Sequence, residues 1–568
     1  MGGSGGIAGA TGSTCAANED CHGGLCLPHP GGYCSADCTT DGCPDDSLCQ
    51  FVDGAAVCLA PCGGPECRAG YQCFSGACRP ACADDGGCGK GFACNGGRCE
   101  PLPGTGIGEK CKVNDDCSSR LCDLRTKTCR LGCTYEQQCG AAETCWVNPV
   151  DRDGDRSPES LLPICIPRRA DGRGIGEPCT KDAECAQGQC ELGACVTLCQ
   201  TGGNCPTSPP MTCAQMMHLA ESGTPKFNGC LPRNGTITYD IPTGGDELLP
   251  LPSNAQSFSL FVAATGMNVN YYTGIYGLDD PAGTSLYTPP RTRDELAKLP
   301  LRYFPSPGTS MVLVSNAPAR LQAKPGLYGF KGFAQAQGGG FSDYSTRVRI
   351  KVGEGGAAGP VNVALHVFVT NLSGGCTSFN AASAPKALAA VETQIKSIFA
   401  KAWVNITSIT YKDTTASSTF TQDQGDNTEL MNILRKATTG DDPDVLELVI
   451  VKKISGGQGG GFEILGVAGG IPASVGVPGT PHSGVTASLT SLCWDKTGKQ
   501  MATTIAHELG HSLGLFHNIE QDASTDAITD NDADREQNLM YWAENNRGNQ
   551  VKLSGQQAQV MRNNPALK

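Results

Sequence analysis

TTIAHELGHSLGLFHN, residues 503–518, gathers three of the chain's eight histidines within a short span, around one glutamate and two glycines. His507 and His511 are four apart, so on a helix they share a face with their Cβ atoms about 5–6 Å apart. Two imidazoles so placed reach a single zinc ion at about 2.0–2.1 Å. On an unbroken helix His517 would lie roughly 15 Å along the axis from His507 and could not join them. The helix must therefore stop and the chain turn back, and Gly514 stands midway, where a positive φ is tolerated. Three protein ligands leave a fourth position for water, the pattern of a catalytic rather than a structural site. Such an ion lowers the pKa of that water toward about 7, and Glu508 is the carboxylate placed to relay its proton. The competing reading is an amphipathic helix with ordinary core and surface histidines. H-E-x-x-H alone would not decide between the two. The longer H-E-x-x-H-x-x-G-x-x-H has a chance frequency on the order of 1 in 100,000 at this composition, which favours the metal.

HELGHSLGLFH resembles the metzincin zinc-peptidase signature at all of its fixed positions, and NLMYW matches that family's downstream Met-turn at Met540. The resemblance extends over residues 360–568. It implies one catalytic Zn2+ on His507, His511 and His517, Glu508 as general base, and Met540 as an apolar floor beneath the metal. It also implies an extended protein or peptide substrate held along an edge strand, for which FEILGVAGG (462–470) is the candidate. Departures limit the subgroup. Asn518 follows the third histidine where adamalysin-like members have Asp. Trp542 stands where matrixins have proline and where astacin-like and serralysin-like members have a zinc-touching tyrosine. Tyr541 is accordingly assigned to the specificity pocket, not to the metal. No cysteine occurs in a P-R-C-G latency context.

Composition narrows the remaining classes. Basic residues number 43 against 56 acidic, a net charge of −13, with no basic cluster to hold phosphates, so nucleic acid is excluded as a partner. No apolar run is long enough for a transmembrane helix. Residues 1–14, MGGSGGIAGATGST, read as a Gly/Ser linker without the basic and apolar regions of a signal peptide. Any export leader is expected to lie outside this sequence or to have been removed.

The expectation of export comes from cysteine. All but two of the 34 cysteines fall between Cys15 and Cys230, in eight sets of four, several opening C-x5-C-x4-C and meeting their neighbours through C-x3-C. C-x2-C, the usual mark of structural zinc, is absent. Gly-rich units with few apolar residues cannot build a core, and disulfides stabilise such units by roughly 2–4 kcal/mol per bridge. Disulfides imply an oxidising compartment, hence a secreted or surface-attached protein; their connectivity stays open among three choices per set. By cysteine pattern alone the sets resemble the small modules of the Dickkopf amino-terminal type. A rigid spacer and an arm that binds a surface or partner protein are both open. Cys376 and Cys493 stand outside the repeat and are expected to bridge the loop after the first strand of the last domain to the loop before the histidine helix.

Two acidic stretches raise calcium as a second ion. DRDGDRSPE (151–159) has Arg156 and Leu162 where an EF-hand needs Gly and Glu, and DASTDAITDNDADRE (522–536) reads better as a solvated loop.

Between the repeat and residue 356, runs such as SFSLFVAA, TSMVLVS, GLYGFKGFA and TRVRIKV predict an all-β sandwich over 231–356. It resembles loosely the small sandwiches that accompany secreted bacterial peptidases, and no residue in it is assigned chemistry. From VNVALHVFVT (361–370) onward, strands and helices alternate, with His366 as a packed or paired side chain, and predict an α/β or α+β unit with a mixed sheet over 360–568. The expected protein is multidomain: linker 1–14, disulfide-rich modules 15–230, sandwich 231–356, and a metzincin-like catalytic domain 360–568. The expected function is zinc-dependent endopeptidase action on extracellular proteins. The alternative is a surface-binding or adhesion protein whose peptidase domain is auxiliary or inactive.

Overall fold

The computed structural model describes residues 9–568 except 28, 30, 39–42, 45–46, 53–54, 63–66, 69–70, 75–76, 82–91, 96–97, 102–107, 113–116, 118–121, 124–125, 134, 151–159, 188, 201–204, 218–225, 242–246, 289–292, 304, 316–320, 337, 354–358, 423–426, 457–462, 522, 529–534 and 544–546. The acidic stretch 151–159 and most of the terminal Gly/Ser linker lie outside these residues. The chain forms two compact units, Met1–Leu231 and Pro232–Lys568.

The first unit is a succession of small antiparallel hairpins, one to each cysteine set. Register places the third and fourth cysteines of a set opposite one another, as at Cys26/Cys34, Cys49/Cys58 and Cys122/Cys129. They do not bond to each other. In every set with both bridges described, the first cysteine bonds the third and the second bonds the fourth, as in Cys15–Cys26 with Cys21–Cys34 and Cys179–Cys190 with Cys185–Cys195. Each module is thus a preceding loop stitched to a hairpin. Sulfur atoms committed to disulfides are not thiolate ligands, so these clusters are structural bridges.

The second unit begins with two facing sheets. Its strands are β1 (Gly235–Ile241), β2 (Glu247–Leu251), β3 (Ala255–Ala264), β4 (Tyr271–Asp279), β5 (Ser285–Tyr287), β6 (Arg302–Tyr303), β7 (Ser306–Pro307), β8 (Thr309–Val314), β9 (Gly326–Ala336) and β10 (Tyr344–Val352), with a short helix α1 (Arg293–Ala297) before β6. One sheet runs β1-β10-β3-β8-β6 and the other β2-β9-β4-β5, with β7 paired to β4. Alternation fills the space between them with Phe258, Leu260, Val348, Ile350, Tyr328 and Ile275, all fully buried.

The remaining residues build a mixed sheet from β11 (Val361–Val369), β12 (Val404–Asp413), β14 (Val445–Val451), β17 (Gly466–Ala468) and β18 (Val485–Ser488), in the order β12-β11-β14-β18-β17. All neighbours are parallel except β17, which runs antiparallel to β18 at the edge. A smaller sheet joins β13 (Thr419–Gln422), β15 (Lys453–Gly456) and β16 (Glu463–Ile464). FEILGVAGG, read as one strand, is therefore split at the buried Leu465 between two sheets. The helices are α2 (Ala384–Ala387), α3 (Ala389–Lys401), α4 (Thr428–Thr438), α5 (Thr490–Trp494), α6 (Lys499–Ser512) and α7 (Gly555–Asn563). α3 and α6 cover one face, where Val363, Leu365, Ile398, Ile505 and Leu509 share a core; α4 covers the other through Leu430, Ile433 and Leu434. Cys376 and Cys493 form a disulfide, with Cys493 inside α5 and not in a loop.

The sandwich also packs on this body. On the face of β10 turned away from the sandwich core, Arg349 and Lys351 are buried. Arg349 donates to the carbonyls of Pro443 and Gly476 and pairs with Asp444. The Lys351 ammonium donates to the carbonyls of Arg562 and Leu567. Burial, with Arg562 nearby, pushes the Lys351 amine down to about 8. An unfolded lysine keeps its proton to a higher pH, so between pH 8 and 10.5 this residue makes stability rise with pH, by up to about 1.4 kcal/mol per unit. Denaturant unfolding at pH 8, 9 and 10 is expected to show that rise in the parent protein and its loss in Lys351→Met.

Candidate metal centre

α6 lies entirely buried from Met501 to Ser512, the setting that aims His507 and His511 inward. Its end is a left-handed turn. Gly514 has φ +106°, its N–H donates to the His511 carbonyl (2.9 Å), and the Leu515 N–H donates to the Gly510 carbonyl (2.9 Å). These are the two bonds of a Schellman stop, which satisfy the last helical carbonyls and reverse the chain.

The returning segment is clamped from the other side by the NLMYW turn. The Asn518 N–H donates to the Met540 carbonyl (3.1 Å), and Ile519 bridges Tyr541 in parallel. Asn538 shapes this turn by accepting from the Met540 N–H (2.8 Å), and Gln557 of α7 exchanges two side-chain hydrogen bonds with Asn538, each 3.1 Å. Met540 is fully buried under α6. A Cβ on Gly510 would come 2.7 Å from the Met540 sulfur, so glycine is what lets that side chain approach the helix.

These two turns bring the three imidazoles together. The Nε2 atoms of His507, His511 and His517 form a triangle with sides of 3.1, 3.2 and 3.3 Å. Each Nδ1 faces an acceptor: the Leu539 carbonyl for His507 (2.6 Å), the Leu515 carbonyl for His511 (2.7 Å) and the Glu520 carboxylate for His517 (2.9 Å). A neutral imidazole has one N–H, and these acceptors place it on Nδ1 in all three rings. Three bare Nε2 lone pairs then point at one another, and a single proton among them could serve only one side of the triangle. A cation serves all three. Tetrahedral bonds of about 2.0–2.1 Å require ligand atoms about 3.3–3.4 Å apart, so the set fits a small divalent ion with its fourth position left over.

Glu508 is buried between α6 and the edge strand. A Cβ on Gly466 of β17 would lie 2.7 Å from the Glu508 Cγ and 3.1 Å from its Oε1, so the strand approaches this carboxylate closely because it has no side chain there. Tyr541 is half-buried beside Trp542, with ring centroids 6.2 Å apart. Elsewhere, a hollow of about 500 Å3 opens beside the ends of β11 and β12 near Thr370 and Asp413, and none of the three histidines lines it. His366 lies outside the triangle, 2.8 Å from Asp441, which also pairs with Lys412. Of the acidic segment after the third histidine, residues 522 and 529–534 lie outside the described residues; within it the Asp526 side chain is buried and paired with Arg302 of the sandwich, not solvated. The orienting groups were not singled out in the sequence. Two are backbone carbonyls, which no residue type announces. Glu520 had a visible signal, the H-x-x-E spacing from His517.

No protein-family model matches this sequence, and none of the curated proteins matches it. Among solved structures the chain is similar to metalloproteinase-II from Bacteroides fragilis at 19% identity and a TM-score of 0.21, covering 38% of this chain. The chain spans 61% of that protein's length. It is also similar to a family two carbohydrate esterase from Cellvibrio japonicus at 9% identity and a TM-score of 0.07, covering 44% of this chain and 64% of the other. The first of these neighbours is a metalloproteinase, but at such scores neither likeness decides fold or activity.

The left-handed turn is the most exposed to substitution. Gly514→Ala forces a Cβ into that conformation at roughly 1–2 kcal/mol. It is expected to lower the melting temperature and to weaken metal retention together, read by thermal unfolding and by dialysis against a chelator.

Proposed function

We propose that this chain is a zinc-dependent endopeptidase working in an oxidising, extracellular setting, with His507, His511 and His517 as zinc ligands and Glu508 as general base. The observation that carries this reading is the triangle of Nε2 atoms with every Nδ1 occupied by an acceptor. Imidazole donors in a tetrahedral arrangement suit zinc, and three of them leave the open position of a catalytic site. Bound zinc would supply Lewis acidity, polarising the scissile carbonyl and acidifying the attacking water.

The rest is done by the chain itself. Leu539, Leu515 and Glu520 hold the three ring tautomers and orientations, the role that outer partners play at metal sites. Glu508 takes the proton of the attacking water and passes it to the leaving amine. β17 ends its sheet with Gly466 against Glu508, so a substrate strand that pairs along this edge is carried past the carboxylate in extended form. Such pairing engages main-chain groups, which suits protein and peptide substrates of varied sequence. Tyr541, beside the third histidine's segment, is assigned to the wall that receives a substrate side chain. The disulfide-bridged first unit fits an oxidising compartment, and among the described residues no helix is long and apolar enough to cross a membrane.

The test is casein hydrolysis by the purified full chain. Glu508→Gln is expected to retain one zinc and lose about 10^2–10^4 in kcat, while chelation abolishes activity and added Zn2+ restores it. Full activity in Glu508→Gln would exclude this mechanism, and leave the zinc site to be judged by metal content alone.

A further inference from the structure

We infer that Arg302, a sandwich residue, is a positioning residue for the third histidine, so that the metal site is completed across the two parts of the second unit. This rests on the reading of the histidines as metal ligands. Arg302 lies in the two-residue strand β6 and is fully buried. Its Nε donates to the Gly514 carbonyl (3.1 Å), its Nη1 to the Ala297 carbonyl (2.7 Å), and its Nη2 pairs with Asp526 (2.7 Å). The guanidinium also lies over the Phe516 ring, 4.3 Å from its centroid.

These contacts fall on both sides of His517. Gly514 is the reversal point of the helix stop, Phe516 immediately precedes the histidine, and Asp526 belongs to the segment that leads away. Only a planar guanidinium supplies donors in three directions and a face for an aromatic ring. The contact at Gly514 also sets a positive group at the negative end of α6. Burying this charge is costly before pairing, and an apolar side chain of similar volume would serve packing as well. What the guanidinium adds is direction. His511 is fixed by the helix, but His517 rides on an irregular segment, and a ligand atom displaced by even half an ångström is lost to a tetrahedral ion. Arg302 fixes that segment from the sandwich side, as the Met540 turn fixes it from the other.

The experiment compares the full chain with Arg302→Lys, Phe516→Leu and His517→Ala. Arg302→Lys keeps a cation opposite Asp526 but loses the fork, and Phe516→Leu keeps the ion pair but loses the stacked ring. Zn2+ affinity is read by chelator competition, and coordination by the visible spectrum of the Co2+-substituted protein. Both positioning variants are expected to weaken Zn2+ about 10- to 100-fold, with Co2+ spectra shifted toward that of His517→Ala and near-parent far-ultraviolet circular dichroism. Folded variants with affinity within about twofold of the parent and a parent-like spectrum would overturn the inference. Should Arg302→Lys fail to fold, Phe516→Leu decides it. Unchanged affinity in His517→Ala would instead refute the metal reading itself.

Discussion

Three imidazole Nε2 atoms meet within 3.3 Å of one another, an arrangement that a shared cation would satisfy, and much of the second unit is arranged to impose that meeting. Helix geometry gives two of the three without effort, since His507 and His511 are one turn apart on α6. The third must come from a chain that has stopped being a helix. Gly514 makes the stop possible, and Gly510 lets Met540 lie close enough for its turn to grip the returning segment. Each ring is then held by an acceptor on its far nitrogen.

The sandwich bears on the same constraint. Its outer face carries three buried cations, Arg302, Arg349 and Lys351, each committed to carbonyls of the following body, and the first two also to its carboxylates. Charged groups taken out of water are stabilised only where their partners are correctly placed. An apolar interface would tolerate sliding, whereas this one fixes a register between the two parts.

The spacing of residues 507–517 made the meeting of the three histidines legible, because three-dimensional proximity follows from helix periodicity plus one glycine. Strands β11 and β14 were legible too, the first by its alternating Val and Leu and the second by its apolar run. Strands of two to four residues, such as β16 and β17, have too few positions for a period to show, and their division between sheets is decided by tertiary pairing. Cysteine spacing marked out the modules, yet not which sulfur meets which, because that depends on how each loop folds back on its hairpin. Arg349 and Lys351 were hidden for a different reason. An alternating strand gives its polar face to solvent by default, and nothing local says that another layer will cover it.

The most direct measurement is X-ray absorption at the zinc edge of the purified, zinc-loaded full chain. A first shell of three imidazole nitrogens and one oxygen at about 2.0–2.1 Å, with no sulfur, is expected. A sulfur shell at about 2.3 Å would place the metal among the cysteines and contradict it.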